Sequence, residues 1–163
     1  MRKELDEKLC ADYPDIFVDR RADMRTTCMC WGFDCGDGWY ELLNDLCKKL
    51  AALRRVTGVG VRASQVKEKY GTLRFYVWGE SDSDRCKATG ATQEDLAVIG
   101  VIVYDIIDRA SSRSAYTCER CGGRGRVVAR GWYACRCWEC WKKEHPEGTR
   151  DQYNETDEED GEE

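Results

Sequence analysis

The chain has 163 residues, 42% of them hydrophobic and 35% charged, enough apolar material for one ordinary domain with a small appendage and too much for a wholly disordered chain. No apolar run nears the roughly 18–20 residues of a membrane span, and the opening MRKELDEKLCADYP is charged where a leader would be apolar, so the expectation is a cytosolic protein without a signal peptide. The net charge of −5 averages unlike parts: residues 151–163 hold eight acids and no base, which leaves +3 on the rest.

In chain order, residues 2–11 read as a short helix or frayed arm stopped by Pro14, and residues 19–36, rich in Cys, Arg and Asp without a clear period, as an irregular loop. Asp37 is the expected N-cap of a helix that carries Trp39, Leu42, Leu43, Leu46, Leu50 and Leu53 at helical spacing and ends near Gly58. Val59, Val61 and Ala63 alternate with polar residues. The run Thr72 to Val77 and Trp78 is rich in β-branched and aromatic residues, so two antiparallel strands joined near Tyr70-Gly71 are predicted. Residues 79–91 form a polar loop. Thr92 and Asp95 then make a capping box for a helix over roughly 93–110, whose apolar face of Leu96, Ile99, Ile102, Val103, Ile106 and Ile107 marks it as the most buried element. The expected architecture is α+β: two main helices packed on a small antiparallel sheet over residues 1–112, a C-terminal four-cysteine zinc-ribbon-like module over 113–143, and an acidic, disordered tail over 144–163.

Eleven cysteines in a reducing cytosol point first to metal ligands. Cys118 and Cys121, then Cys137 and Cys140, form two Cys-x-x-Cys pairs. Such a turn aims both sulfurs at one ion, and two turns brought together by a hairpin complete a zinc tetrahedron at about 2.3 Å. Gly122-Gly123 lets the chain turn after the first pair, and Arg126 to Ala134 reads as the hairpin. Cys135 could in principle pair with Cys137 or Cys140, but the two-residue gap favours Cys137 with Cys140. Four thiolates leave zinc no open position, so the Zn2+ is expected to be structural.

Cys28, Cys30 and Cys35, with Cys47 on the following helix, are a weaker second metal set, set against buried free thiols beside Trp31, Phe33 and Trp39. Cys10 and Cys86 have no evident partner. The lone His145 sits in a Glu-His-Pro context and reads as an exposed tail residue. No phosphate loop, paired-carboxylate motif or nucleophile elbow is visible, and Asp34, Asp37 and Glu41 are read as a cap and a solvated face, so the chain is expected to be non-enzymatic with no small-molecule substrate.

The order GDGWYELLNDLC (36–47), SQVKEKYGTLRFYV (64–77), an apolar helix, Ser114 and TCERCGGRGRV…GWYACRCWEC (117–140) resembles a set of small zinc-ribbon-containing proteins met in phage and prophage genomes, mostly of unassigned function. The likeness covers roughly residues 12–141. It implies Cys118, Cys121, Cys137 and Cys140 as ligands, with Cys135 as the departure, and it implies the setting of an accessory gene of a mobile element acting in a bacterial host cytosol. Such proteins often bind and block a host protein or complex, CRISPR and other defence systems included, and that is the expected partner class.

Composition supports two contact modes. Six Trp and eight Tyr can anchor a protein interface, and the acidic tail can occupy a basic groove. Alternatively, residues 113–143 carry +6 and could bind nucleic acid, with Arg120, Arg124, Arg126, Arg130, Arg136, Lys142 and Lys143 on phosphates and Trp132, Tyr133 and Trp141 on bases. Lys67, Lys69, Tyr70 and Arg74 around the hairpin turn are a third candidate contact surface, although the simpler and preferred reading is that Tyr70-Gly71-Thr72 only fixes the turn geometry and the strands' alternate side chains face core and solvent.

Overall fold

The computed structural model describes residues 1–81, 90–130 and 132–154. Among these residues the architecture is α+β, with five α-helices, two small sheets and the cysteine pairs in a C-terminal module. Helix α1 (Lys3–Asp12) is followed by 3-10 turns at Val18–Arg21 and Cys28–Trp31, so part of the predicted irregular loop is ordered. Arg20 holds it in place. Its guanidinium donates to both Asp6 carboxylate oxygens, at 3.0 and 2.8 Å, and to the Cys30 carbonyl at 2.8 Å. The short strand β1 (Phe33–Asp34) pairs parallel with a later strand, a long-range contact that two residues give no periodicity to reveal.

Helix α2 (Tyr40–Thr57) places Leu42, Leu43, Leu46, Cys47 and Leu50 on one buried face and ends at Gly58, whose left-handed φ of 75° lets its N–H reach the Arg54 carbonyl at 2.8 Å. Asp37 is not its cap. Residues Asp37–Trp39 form a 3-10 turn, and the Asp37 carboxylate instead takes the Arg2 backbone N–H at 2.7 Å and the Arg2 side chain at 3.1 Å. The predicted hairpin is present as β2 (Val59–Lys69) and β3 (Thr72–Ser81), with β2 central in the order β1-β2-β3. Tyr70 at φ 52° and Gly71 at φ 75° give the turn two left-handed residues, the geometry that matches strand twist. Phe17, Phe33 and Phe75 meet edge to face beneath the sheet, with centroids 4.9 and 6.3 Å apart.

Helix α3 (Gln93–Ser114) starts at the predicted Thr92–Asp95 capping box but is not the most buried element, being less buried than α2 or β2. It packs against α2 and β3 with a narrow stripe of Ile99, Val103, Ala110 and Ser114, while Val98, Val101 and Ile102 remain exposed. Its apolar residues outnumber the positions its neighbours can cover. The C-terminal end of α3 closes the free edge of β3: Ser111 donates to the Leu73 carbonyl at 2.9 Å, and Leu73 N–H donates to the Ser114 hydroxyl at 2.8 Å. These hydroxyls satisfy strand groups that would otherwise invite a further strand.

The module contains β4 (Arg126–Arg130), β5 (Trp132–Arg136), α4 (Trp138–Glu144) and α5 (Arg150–Asn154). Its folded part therefore runs past 143, and residues 144–154 are not disordered tail. Tyr153 is buried against Trp138 and Trp141, and its hydroxyl donates to the Arg136 carbonyl at 2.9 Å. The aromatic packing outweighs the polar composition that suggested disorder. Residues 155–163 lie outside the described residues, as does Cys86.

Ser114→Ala is expected to lower stability by about 1–3 kcal/mol, because it leaves the buried Leu73 N–H without an acceptor. Urea unfolding followed by circular dichroism measures it.

Candidate metal centre

The centre begins with two local turns. Cys118 opens a knuckle in which the Gly122 N–H returns to the Cys118 carbonyl at 2.8 Å and the Cys118 N–H reaches the Gly123 carbonyl at 2.7 Å. Gly122 has φ 76°, a conformation that glycine adopts without strain. On the other side Cys137 is the N-cap of α4, and its sulfur accepts from the Cys140 N–H at 3.4 Å. The hairpin of β4 and β5 brings the two turns together.

The four sulfurs of Cys118, Cys121, Cys137 and Cys140 all lie within 4.8 Å of one another, and Cys121 and Cys137 are 3.7 Å apart. Sulfurs about 2.3 Å from a central ion stand about 3.8 Å apart along a tetrahedral edge, so the donor set fits a tetrahedral metal. The surrounding N–H groups prepare for charge. Burial pushes the Cys118 thiol up, but the backbone N–H groups of Cys137, Cys121 and Arg120 outweigh it and hold the thiol below its ordinary value. Cys140 goes the other way, raised by burial and by hydrogen bonding with Cys137 and Cys121. At Cys121 the Gly123 N–H lowers the thiol, yet burial and the neighbouring thiols carry it above its ordinary value. The four sulfurs thus sit in opposed surroundings, one favoured as a thiolate and two disfavoured, and a divalent cation among them would offset the accumulated charge.

Cys135 is not in the set. It is buried, its thiol donates to the Ala115 carbonyl at 3.3 Å, and burial pushes it up to about 12. It belongs to the main hydrophobic core and pegs β5 to the body. Cys28, Cys30, Cys35 and Cys47 form no second cluster: among the described residues the Cys118 set alone gathers three or more metal-binding side chains. Cys28 is exposed, Cys30 donates to the Thr27 carbonyl at 3.1 Å, and Cys35 and Cys47 are buried, where desolvation raises Cys35 to about 12 and Cys47 as well. Core packing claims Cys35 and Cys47, and Cys28 stands apart at the surface. Cys10 is likewise raised by burial to about 12, beside Asp6.

The knuckle is seated on the body by residues that sequence reasoning missed. Gly38 lies directly against it: a Cβ there would stand 2.5 Å from Gly122 N and 2.7 Å from Cys121 N and collide with the Cys118 carbonyl. Gly38 N–H donates to the Glu119 carbonyl at 2.8 Å, Gly36 N–H to the Glu119 carboxylate at 2.8 Å, and the buried Trp39 indole to the Thr117 carbonyl at 2.7 Å. The one available signal was the pair of glycines in GDGW, just where a helix should start. At the other end of the contact, Gly71 meets Val127, and Tyr70 meets Tyr133 edge to face at 5.9 Å.

The bases of the module are mostly engaged at home. Arg136 pairs with Glu119 and Glu144, each at 3.0 Å, and Arg120 with Glu144 at 2.8 Å. Arg126 lies over Tyr153 at 5.9 Å, and Lys142 donates to the Pro146 and Gly148 carbonyls at 2.6 and 2.8 Å. Arg124 and Lys143 are exposed, and the Arg130 side chain lies outside the described residues. Trp132 is 79% exposed, whereas Trp141 is buried between Trp138 and His145, whose rings stack at 5.6 and 4.6 Å. His145 is thus a half-buried partner of Trp141 and not a free tail residue. Among the described residues no helix is long and apolar enough to cross a membrane. Comparison with known proteins gives no matching family model, curated protein or solved structure.

Elemental analysis should find one metal ion per chain in the wild type and in Cys135→Ser, and a several-fold loss in Cys137→Ser. Gly38→Ala should cost about 3 kcal/mol, the upper range for overpacking, while a Gly79→Ala control, with nothing near its added Cβ, should cost far less. Thermal melts measure both.

Proposed function

We propose that this is a non-enzymatic accessory protein of a phage or mobile element that binds and blocks a host protein complex, a CRISPR or other defence assembly being the class in view. Its metal is structural zinc. Four thiolates fill zinc's shell and leave no position for water or substrate, which makes the ion a staple for the module. Because thiolate binding and folding are coupled, metal loss unfolds the module and loosens its seat on the body.

The observation that carries the protein-binding reading is the outer face of α3. Val98, Val101 and Ile102 are neighbours on a 22-residue helix, and Val101 is 69% exposed. An apolar stripe left open on a folded surface is the kind of patch that protein contacts cover. The alternative, phosphate binding by the basic zinc module, loses force because Arg120 and Arg136 already pair with Glu119 and Glu144.

Tagged wild type and Val101→Glu, expressed in a bacterial host with a defence complex, separate the outcomes. The wild type should yield a stoichiometric complex that survives size exclusion, and Val101→Glu, with unchanged circular dichroism and zinc content, should weaken it more than tenfold. A wild type that stays free of partners, or a Val101→Glu variant that keeps the complex intact, would sink the reading.

A further inference from the structure

The pleat of β3 sorts its side chains. Leu73 and Phe75 are buried and Val77 packs against the core, so Arg74, Tyr76 and Trp78 share the opposite, outward face. In the β2–β3 register Lys67 stands opposite Arg74, Gln65 opposite Tyr76 and Lys69 opposite Thr72, which puts Lys67 and Lys69 on that face as well. Tyr76 is 45% and Trp78 58% exposed. Two residues apart on one strand, these rings stand about 7 Å from each other at a rise of roughly 3.4 Å per residue. Lys67 lies over the Tyr76 ring at 5.7 Å and Lys69 over Tyr70 at 5.3 Å.

The charges are available to a ligand. Arg74 donates to the Thr72 hydroxyl at 2.7 Å, the Leu73 carbonyl at 3.2 Å and the Ser111 hydroxyl at 3.4 Å, all neutral acceptors that leave its charge uncompensated. Asp34 is in register with Lys67, and Arg62, opposite Trp78, is held by Asp19 at 3.1 Å. Lys67, Lys69 and Arg74 are therefore the open cations of the strand face. Beside the rings runs a groove of about 570 Å³ whose lining also includes Met24, Arg25, Thr27, Gln65 and Tyr104.

We infer that this sheet face binds single-stranded nucleic acid, with phosphates along Lys67, Lys69 and Arg74 and bases stacked on Tyr76 and Trp78. An acidic protein surface would answer the cations but leave two adjacent exposed rings, faced by Tyr104, without flat partners. A strand of nucleotides answers both, since every base has a π-face and every link a charge. A duplex, whose bases are already stacked, would use only the cations. This surface is centred on the β2–β3 hairpin and meets the outer stripe of α3 only at Tyr104; it goes beyond the protein-binding reading, and the ring and lysine variants leave Val101 in place, so either can fail alone.

Fluorescence anisotropy on full-length, metal-loaded protein tests it, using labelled oligo(dT) and oligo(rU) of about 20 nucleotides and a duplex of equal length, over roughly 50–200 mM salt. Single strands should bind at least tenfold tighter than duplex, and the dT and rU arms decide between DNA and RNA as the source. Tyr76→Ala/Trp78→Ala should weaken binding at least tenfold, and Tyr76→Phe/Trp78→Phe should restore it. Lys67→Gln/Lys69→Gln should lower the slope of log K against log salt by about 1.4, two contacts at roughly 0.7 each. Zinc content and circular dichroism verify that each variant is folded. Absence of binding at low salt, equal affinity for duplex, or unchanged binding by the ring variant overturns the inference. So does binding lost only on Arg124→Gln/Lys143→Gln, or poly-glutamate competing as well as oligo(dT), which would make an acidic protein the occupant.

Discussion

The contact on which the structure depends is backbone against backbone: the Cys118–Cys121 knuckle rests on the Gly36–Gly38 loop with no space for a Cβ at Gly38. Bare peptide groups approach closely, and hydrogen bonds join them, from Gly38 N–H to the Glu119 carbonyl and from the Trp39 indole to the Thr117 carbonyl. The shape of the knuckle is in turn set by its sulfurs. Whatever fixes the four thiolates therefore also fixes the surface presented to the body. The four-cysteine cluster and the α+β core are one mechanical unit, joined a second time by Cys135 in the main core and a third time by Gly71 against Val127.

Arg136 shows how the module uses its charge. It lies behind the knuckle between Glu119 and Glu144, and Glu119 also accepts from Gly36 N–H, so one ion network ties the body loop, the first cysteine pair and α4 together. Buried ion pairs contribute modest net stability but enforce geometry, because a stranded partner is costly. Part of the module's positive charge is thus structural, since Arg120 and Arg136 share Glu144 and Arg113 reaches Asp45 on the body. On the body, the outer stripe of α3 is apolar and the outward face of the β2–β3 hairpin mixes lysines with rings, while the module exposes Trp132, Arg124 and Lys143.

The module would be too small to hold together on Val128, Trp141 and Tyr153 alone. It gains a second centre of cohesion from the four-cysteine cluster and a third from its seat on the body. That explains why chain beyond the last ligand is ordered: Trp138, His145 and Tyr153 surround Trp141, and Lys142 caps the carbonyls of the turn between α4 and α5. A tail that looks polar residue by residue folds because one aromatic at Tyr153 has a ring stack to join.

The sequence by itself determined what depends on local spacing and local chemistry. The Cys-x-x-Cys pairs, the Thr92–Asp95 capping box, the leucine face of α2 and the Tyr70-Gly71 turn are each written within a few residues, since knuckles, caps, helix faces and tight turns are short-range devices. Only the tertiary structure decided what depends on neighbours distant in the chain. Asp37 looks like a cap, but Arg2 takes its carboxylate. The apolar residues of α3 outnumber the surfaces that reach them. Cys35 and Cys47 look like ligands until the core closes over them, and Gly38 has no visible role until Cys118, eighty residues later, arrives beside it. The module's positive charge followed the same rule, since a count of bases cannot say which ones folding has already paired.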